Sequence, residues 1–383
     1  MVDINGFSIF KQFACELGWR GLNIVCLLRA IIKLHLLPMA ANLVSTPAIS
    51  VLMPCHNAAA TLQTALNSLY VQTLQNIEII AVDDGSNDET AAILRRQAEI
   101  EPRLRIICQP HQGIISALNT GLADCLAPYI ARMDADDYSY PERLERQLDY
   151  LESHANIAVV GCLVEGFPSE NLREGFRIYI DWQNSLISNG DICREIFVES
   201  PMAHPSTTMR KSWVDGAGGY QENGWPEDYD LWLRLYLDGG QFAKVPEKLF
   251  RWRERPDRLT RTDRRYSLEN FLRAKAHYLA RGPLAEREAV IIWGAGMMGR
   301  RLSKHLQLQG APLAAFVDID PAKIGRTRRG LPILAPDALP EFLGRFSDPI
   351  VLAAVGARGA RALIRQRLNE IGLEEGADWW SVA

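Results

Sequence analysis

No two of the seven cysteines stand in Cys-x-x-Cys spacing, and their number is odd. An odd, dispersed set fits reduced thiols in a cytoplasmic chain better than a disulfide framework or a zinc site. Charge of one sign is also lacking. A formal net charge of -4 argues against nucleic acid as the main partner. Long uninterrupted apolar runs are missing as well. The most apolar stretch, Gly21 to Val44, is broken by Arg29, Lys33, His35 and Pro38. A membrane span needs roughly 20 nearly uncharged residues, and a secretory leader carries its charge ahead of its apolar core. Two readings of residues 1–46 stay open. Arg29 and Lys33 lie one helical turn apart, as in an amphipathic helix resting on the inner face of a membrane; the other is an extension packed on the rest of the chain. There is no internal repeat and no low-complexity tract.

What is present is an alternation of apolar runs and helical spacings. Ile49 to Pro54, Ile77 to Asp83, Leu104 to Cys108 and Tyr129 to Met133 read as strands, separated by helical patterns near 58–72, 88–99 and 114–123. Such alternation predicts a parallel α/β sheet covered by helices. Ligands then belong at the carboxyl ends of the strands. The polar clusters stand there: Pro54-Cys-His-Asn57, Asp83-Asp-Gly-Ser86 and Asp134-Ala-Asp-Asp137. Residues 165–285 are less regular, and a second α/β unit starts near Ala289 after the linker Arg281-Gly-Pro-Leu-Ala.

Three carboxylates in four positions after a strand repel one another unless a cation or donors neutralise them. A hard divalent ion completed by phosphate oxygens satisfies that arrangement. Capping of the following helix accounts for one such residue. Asp83 and Asp84, beyond what capping needs, suit hydrogen bonds to a ribose or a base edge. Glu227-Asp228 opens a helix whose apolar face carries Leu231, Trp232 and Leu235, so these acids serve either its N-terminus or a reaction.

Five motifs in order (Pro54-x-x-Asn57, Asp83-Asp-Gly-Ser-x-Asp88, Gly113 through Asn119-Thr-Gly121, Asp134-Ala-Asp-Asp137 and Trp225-Pro-Glu-Asp-Tyr-Asp-Leu-Trp-Leu-Arg234) resemble those of family 2 glycosyltransferases of the GT-A fold. The resemblance spans roughly residues 48–260 and implies a Rossmann-like mixed sheet over residues 47–280. It implies an inverting transfer from a nucleotide sugar, with a UDP-sugar favoured, to a saccharide or lipid-linked hydroxyl acceptor in bacterial surface polysaccharide or glycolipid synthesis. Asp83 and Asp84 would then hold the nucleotide, with Pro54 and Asn57 flooring its pocket. Asp134 and Asp136 would bind Mn²⁺ or Mg²⁺ with the diphosphate, and Asp137 would orient ribose or sugar. Asp228 would be the catalytic base beside Glu227. His204, in Met202-Ala-His-Pro-Ser206, resembles a family motif and would meet phosphate or acceptor. Many members carry arginine where this chain has Leu118, and Arg132 is the expected substitute. Arg251-Trp-Arg253 and Arg258-Leu-Thr-Arg261 read as a phosphate clamp, a contact to anionic lipid, or a solvated surface.

Val290-Ile-Ile-Trp-Gly-Ala-Gly-Met-Met-Gly299 runs a strand into G-x-G-x-x-G, with Gly294, Gly296 and Gly299, and Asp318 ends the next strand. That spacing predicts a small Rossmann-like unit over 287–383, either nucleotide-binding or structural. A nicotinamide-dependent sugar oxidoreductase acting there is the rival reading, a non-catalytic sugar-nucleotide-binding module a third, and hydrolysis of the sugar nucleotide a fourth. The first leaves the acidic motifs upstream without a task.

Overall fold

The computed structural model describes residues 46–383, so the amphipathic reading of Gly21 to Val44 lies outside the described residues. Residues Pro47–Ala383 form one compact unit containing two sheets.

The first sheet begins with β1 (Ile49–Cys55), β2 (Ile77–Asp84), β3 (Leu104–Gln109) and β4 (Tyr129–Arg132), all parallel, in the order β3-β2-β1-β4. Every residue of β1 and β2 is buried, as expected where helices cover both faces of a continuous apolar run. Alternation sends Leu52, Ile80 and Val82 toward the Ile114–Asp124 helix, and Val51, Met53, Ile79 and Ala81 toward the Leu62–Tyr70 helix. The first helix lies very close to the sheet: a Cβ on Gly121 would stand 2.3 Å from Leu52 Cδ1 and 2.9 Å from Val82 Cγ2. Only glycine fits there.

Beyond β4 the direction reverses. β7 (Thr208–Arg210) runs antiparallel to β4, and β6 (Ile157–Phe167) is antiparallel to β7. The long β8 (Gln241–Arg253) lies parallel to β6, and the two-residue β5 (Tyr138–Ser139) closes the edge against it. The mixed sheet is thus ordered β3-β2-β1-β4-β7-β6-β8-β5. The reversal leaves the carboxyl ends of β1, β2 and β4 facing a cleft, which places the site.

The second sheet comprises β9 (Ala289–Trp293), β10 (Leu313–Val317), β11 (Thr327–Arg328), β12 (Leu331–Leu334), β13 (Pro349–Ala353) and β14 (Trp379–Ser381), ordered β11-β12-β10-β9-β13-β14. All but β11 run parallel. The apolar core does not stop between the sheets. Trp232 and Phe242 of the first belong to the same cluster as Leu272, Leu279, Val290, Ile292, Phe316 and Trp380. Leu284, in the linker, is buried in it too. Polar ties reinforce the junction. Buried Glu195 accepts from Arg361 (2.6 Å) and Arg365 (2.9 Å), and Lys275 Nζ donates to the carbonyls of Val198 (2.6 Å) and Val382 (3.2 Å).

Candidate functional site

β4 delivers the acidic cluster into the cleft. After Arg132 the chain turns back on itself, Asp137 N donating to the Asp134 carbonyl at 3.3 Å, and β5 follows. Asp134, Asp136 and Asp137 each offer a carboxylate oxygen within 4.8 Å of the others. Asp137 is buried; its Oδ1 accepts from Arg253 N at 2.7 Å, and its Oδ2 has no partner. Burial and the neighbouring carboxylates push Asp136 and Asp137 above the usual carboxylate range. An orphaned buried oxygen inside a self-repelling oxygen cluster fits a hard divalent cation.

Arg132, the expected phosphate ligand, is buried and committed. Its Nη2 donates to Asp134 at 2.6 Å and its Nη1 to the Met133 carbonyl, leaving Nε unpartnered. Arg143, which the sequence reading passed over, is fully buried beneath. It donates to the carbonyls of Arg132 (2.7 Å) and Pro205 (3.1 Å), and its guanidinium lies 4.9 Å from the Phe250 ring centre. Desolvation lowers it to about 10. It fixes the end of β4 against the loop that carries His204.

At the ends of β1 and β2, Pro54 and Asn57 line the cleft. Asn57 adopts φ +49° and is locked to the opposite loop: its N donates to Ser86 Oγ and its Oδ1 accepts from Asn87 N, both at 2.9 Å. Adjacent strand residues point to opposite faces, which separates the two aspartates. Asp83 is buried away from the cavity lining and accepts from Ser86 N at 3.2 Å. Asp84 lines the cavity, where it accepts from Gln112 N (2.9 Å), Gly113 N (2.8 Å), Gln109 Nε2 (2.6 Å) and His111 Nδ1 (2.8 Å). Burial opposes ionisation, but these donors prevail and hold its carboxyl below the usual range. His56 and His111 stack above it at 4.1 Å. Neither histidine was singled out from sequence, although His56 sits inside the Pro54–Asn57 cluster. Leu118 is fully buried, and Asn119 instead brackets the Tyr220 backbone at 2.8 and 2.9 Å.

Across the cleft stands the Glu227–Leu237 helix, which presents both acids at its first turn while Tyr229, Leu231, Trp232, Leu233 and Leu235 enter the core. Glu227 is buried and accepts from Tyr266 Oη at 2.9 and 2.7 Å, with Arg265 Nη1 at 3.8 Å. Tyr266 and Arg265 lie some forty residues downstream and had no signal in the sequence. Asp228 is half-buried and accepts from Tyr229 N at 2.7 Å. Desolvation, then the Glu227 charge, pushes it up to about 8. Glu227 is raised too, first by desolvation. His204 is buried against Trp232, its Nε2 2.8 Å from Tyr220 Oη. Desolvation and the Arg132 charge hold it neutral, well below its ordinary pKa.

The acidic triad, Arg132, Pro54, Asn57, Asp84, the two stacked histidines, His204 and the Glu227–Asp228 pair border one cavity of about 510 Å³, from which Asp83 and the bracing Arg143, Asn119 and Tyr220 are absent. Its remaining wall is the segment Trp252–Tyr266, which brings in Arg253, Arg255, Arg258 and Arg265. Arg251 points elsewhere, onto the Phe167 ring (4.6 Å) and Glu165 (3.3 Å).

The glycine loop of the second sheet is distant in role. A Cβ on Gly299 would lie 1.8 Å from the Gly294 carbonyl oxygen, and Gly294 has φ +119°, so both are required by packing. Gly296 faces open space. Asp318 accepts from Ala295 N (2.9 Å) and Asp320 N (3.0 Å) and pairs with Lys323 (3.2 Å). Its carboxylate braces the loop where a free ribose acceptor was expected.

Comparison with known proteins gives the family and the fold. The family model for glycosyl transferase family 2 matches residues 50–216. The amylovoran biosynthesis glycosyltransferase AmsE of Erwinia amylovora is 35% identical over 211 residues, covering 54% of this chain and 77% of that protein. The putative glycosyltransferase EpsE of Bacillus subtilis is 32% identical over 233 residues, covering 60% and 81%. Among solved structures, S. aureus TarS 1–349 in complex with UDP-GlcNAc superposes with a TM-score of 0.51 at 18% identity, over 67% of this chain and 71% of that one. At that identity the likeness shows the fold.

Proposed function

Because the chain belongs to glycosyl transferase family 2, we propose that this cavity moves a sugar from a nucleoside diphosphate donor to an acceptor hydroxyl with inversion at the anomeric carbon. The carrying observation is the juxtaposition, around one cavity, of a cation-seeking carboxylate triad and a desolvated carboxylate pair.

Asp134, Asp136 and Asp137 would hold a divalent cation, Mn²⁺ or Mg²⁺, which when bound supplies positive charge to the leaving diphosphate. The nucleotide lies toward Pro54, Asn57 and Asp84, with Asp83 bracing the loop behind it. Stacked His56 and His111 offer ring faces to a base; the complex of TarS with UDP-GlcNAc favours a uridine donor here. Asp228 takes the proton of the acceptor hydroxyl as its oxygen attacks the anomeric carbon. Glu227, held by Tyr266 and Arg265, keeps that base strong through like charge. Neutral His204 meets acceptor or phosphate as a hydrogen-bond partner. The acceptor is a saccharide or lipid-linked saccharide in surface polysaccharide assembly, a reading supported by the AmsE relative's role in amylovoran biosynthesis. We place the reaction at the cytoplasmic face of the membrane. Among the described residues, no helix is long and apolar enough to cross a membrane.

Calorimetric titration of the intact protein with UDP, GDP, TDP and NAD, with and without Mn²⁺, tests the reading. Metal-dependent binding of one nucleoside diphosphate, abolished by Asp136→Ala, is expected. Binding of NAD alone would move the chemistry to the second sheet and refute it. Turnover that needs an added acceptor separates transfer from hydrolysis.

A further inference from the structure

The arginines lining the cavity are unequally committed. Arg132 is spent on Asp134 and a carbonyl. Arg253, the last residue of β8, gives its backbone N–H to Asp137 Oδ1, stacks 4.3 Å from the Phe167 ring centre, and gives its Nε to the Asp136 carbonyl. Arg258 is sandwiched by Phe176 and Trp252, at 4.8 and 4.4 Å, and pairs with Glu254 at 3.7 Å. Arg265 is shared by Glu222 and Glu227. Arg255 differs. Its ion pairs are both made through Nε, to Asp136 Oδ2 at 3.3 Å and Asp257 Oδ1 at 3.2 Å, and neither has the geometry of a hydrogen bond. Its side chain keeps 35% of its surface exposed, and the residue follows the end of β8. Arg255 therefore places a weakly held positive charge on one of the three carboxylates best suited to a cation.

We propose that Arg255 is an exchangeable counter-charge, neutralising Asp136 in the empty site and passing to the donor diphosphate when metal and donor arrive. The inference rests on the donor reading above. A cation on the triad repels the guanidinium from Asp136, and the diphosphate brings oxygens that a planar fork grips well. Arg255 thus makes the contact to the leaving group that Leu118, sealed in the core, does not make.

The two ligands must then respond with opposite sign, which a merely structural residue would not produce. Arg255→Ala removes a competitor for the triad, so Mn²⁺ alone should bind about two- to fivefold more tightly, the range of a part-exposed ion pair. UDP in saturating Mn²⁺ should bind about tenfold more weakly, for the loss of one charge-assisted hydrogen bond. Arg255→Lys, which keeps the charge but loses the fork, should restore Mn²⁺ affinity to the wild-type value and recover UDP binding only in part. Mn²⁺ binding is read from its paramagnetic resonance signal, UDP binding by calorimetry, and circular dichroism checks that each variant folds. If both affinities fall together, or neither moves, the exchange is refuted. If wild type binds neither UDP nor GDP with Mn²⁺, the donor reading itself falls.

Discussion

The Glu227–Asp228 pair makes a quantitative prediction about pH. Asp228 is pushed up to about 8, first by desolvation and then by the adjacent Glu227 charge. A base must be ionised to accept a proton, so activity rises as pH climbs through that value. At pH 7 such a group is about one-tenth ionised and at pH 9 about nine-tenths, so kcat should increase roughly tenfold between them and then level off. Glu227→Gln removes the second cause and leaves the first. Its carbonyl still accepts from Tyr266, so the local packing survives. The ascending limb should move down by about one to two pH units, leaving Asp228 about half to nine-tenths ionised at pH 7. The plateau itself should fall, because a less basic carboxylate accepts a proton less readily. The assay is the rate of nucleoside diphosphate release at saturating donor and acceptor from about pH 5.5 to about 9.5. A wild-type profile that is flat from pH 6 to 9, or a limb that stays put in Glu227→Gln, would refute the pairing argument.

Three further outcomes are expected. Asp228→Asn should bind donor nearly as well as wild type while kcat drops about 10²–10⁴-fold; equal turnover in calorimetrically matched samples would remove Asp228 from the base role. Gly299→Ala should cost about 1–3 kcal/mol or more, because the new methyl would collide with the Gly294 carbonyl, whereas Gly296→Ala should leave the melting temperature nearly unchanged. Glu195→Ala should cost about 2 kcal/mol by denaturant titration, less than a fully buried pair because Arg361 and Arg365 retain some solvent.

Much of this was legible in the chain because it is local. Continuous apolar runs marked β1 to β4 to within one residue at most ends, and the acidic cluster announced itself by its position after β4. Pattern could not say which of two adjacent aspartates enters the cleft. Asp83 and Asp84 alternate across β2, and only the packing of the Ile114–Asp124 helix on the face of Ile80 and Val82 decides that Asp84 does. Long-range partners were equally silent. Tyr266 reaches Glu227 across 39 residues, and Arg255 meets Asp136 only because β8 pairs with β5 at the sheet edge. The strand leading into the glycine loop was legible as an apolar run, yet Asp318 faces inward to that loop, a choice that spacing does not encode.

The shared core between the sheets has a thermodynamic consequence. Trp380, in β14, packs edge-on against Phe197 and Tyr236 of the first sheet's layer, and Lys275 reaches the Val382 carbonyl. Stopping the chain at Gly282 would bare those rings to water and strip a buried ammonium of one acceptor. Heat should therefore melt both sheets in a single transition, and a nucleotide gripped in the transferase cleft should protect the glycine loop far from it. Two sequence motifs in series are thus expected to unfold as one thermodynamic body, a substitution that weakens the second sheet lowering the melting temperature of the first as well.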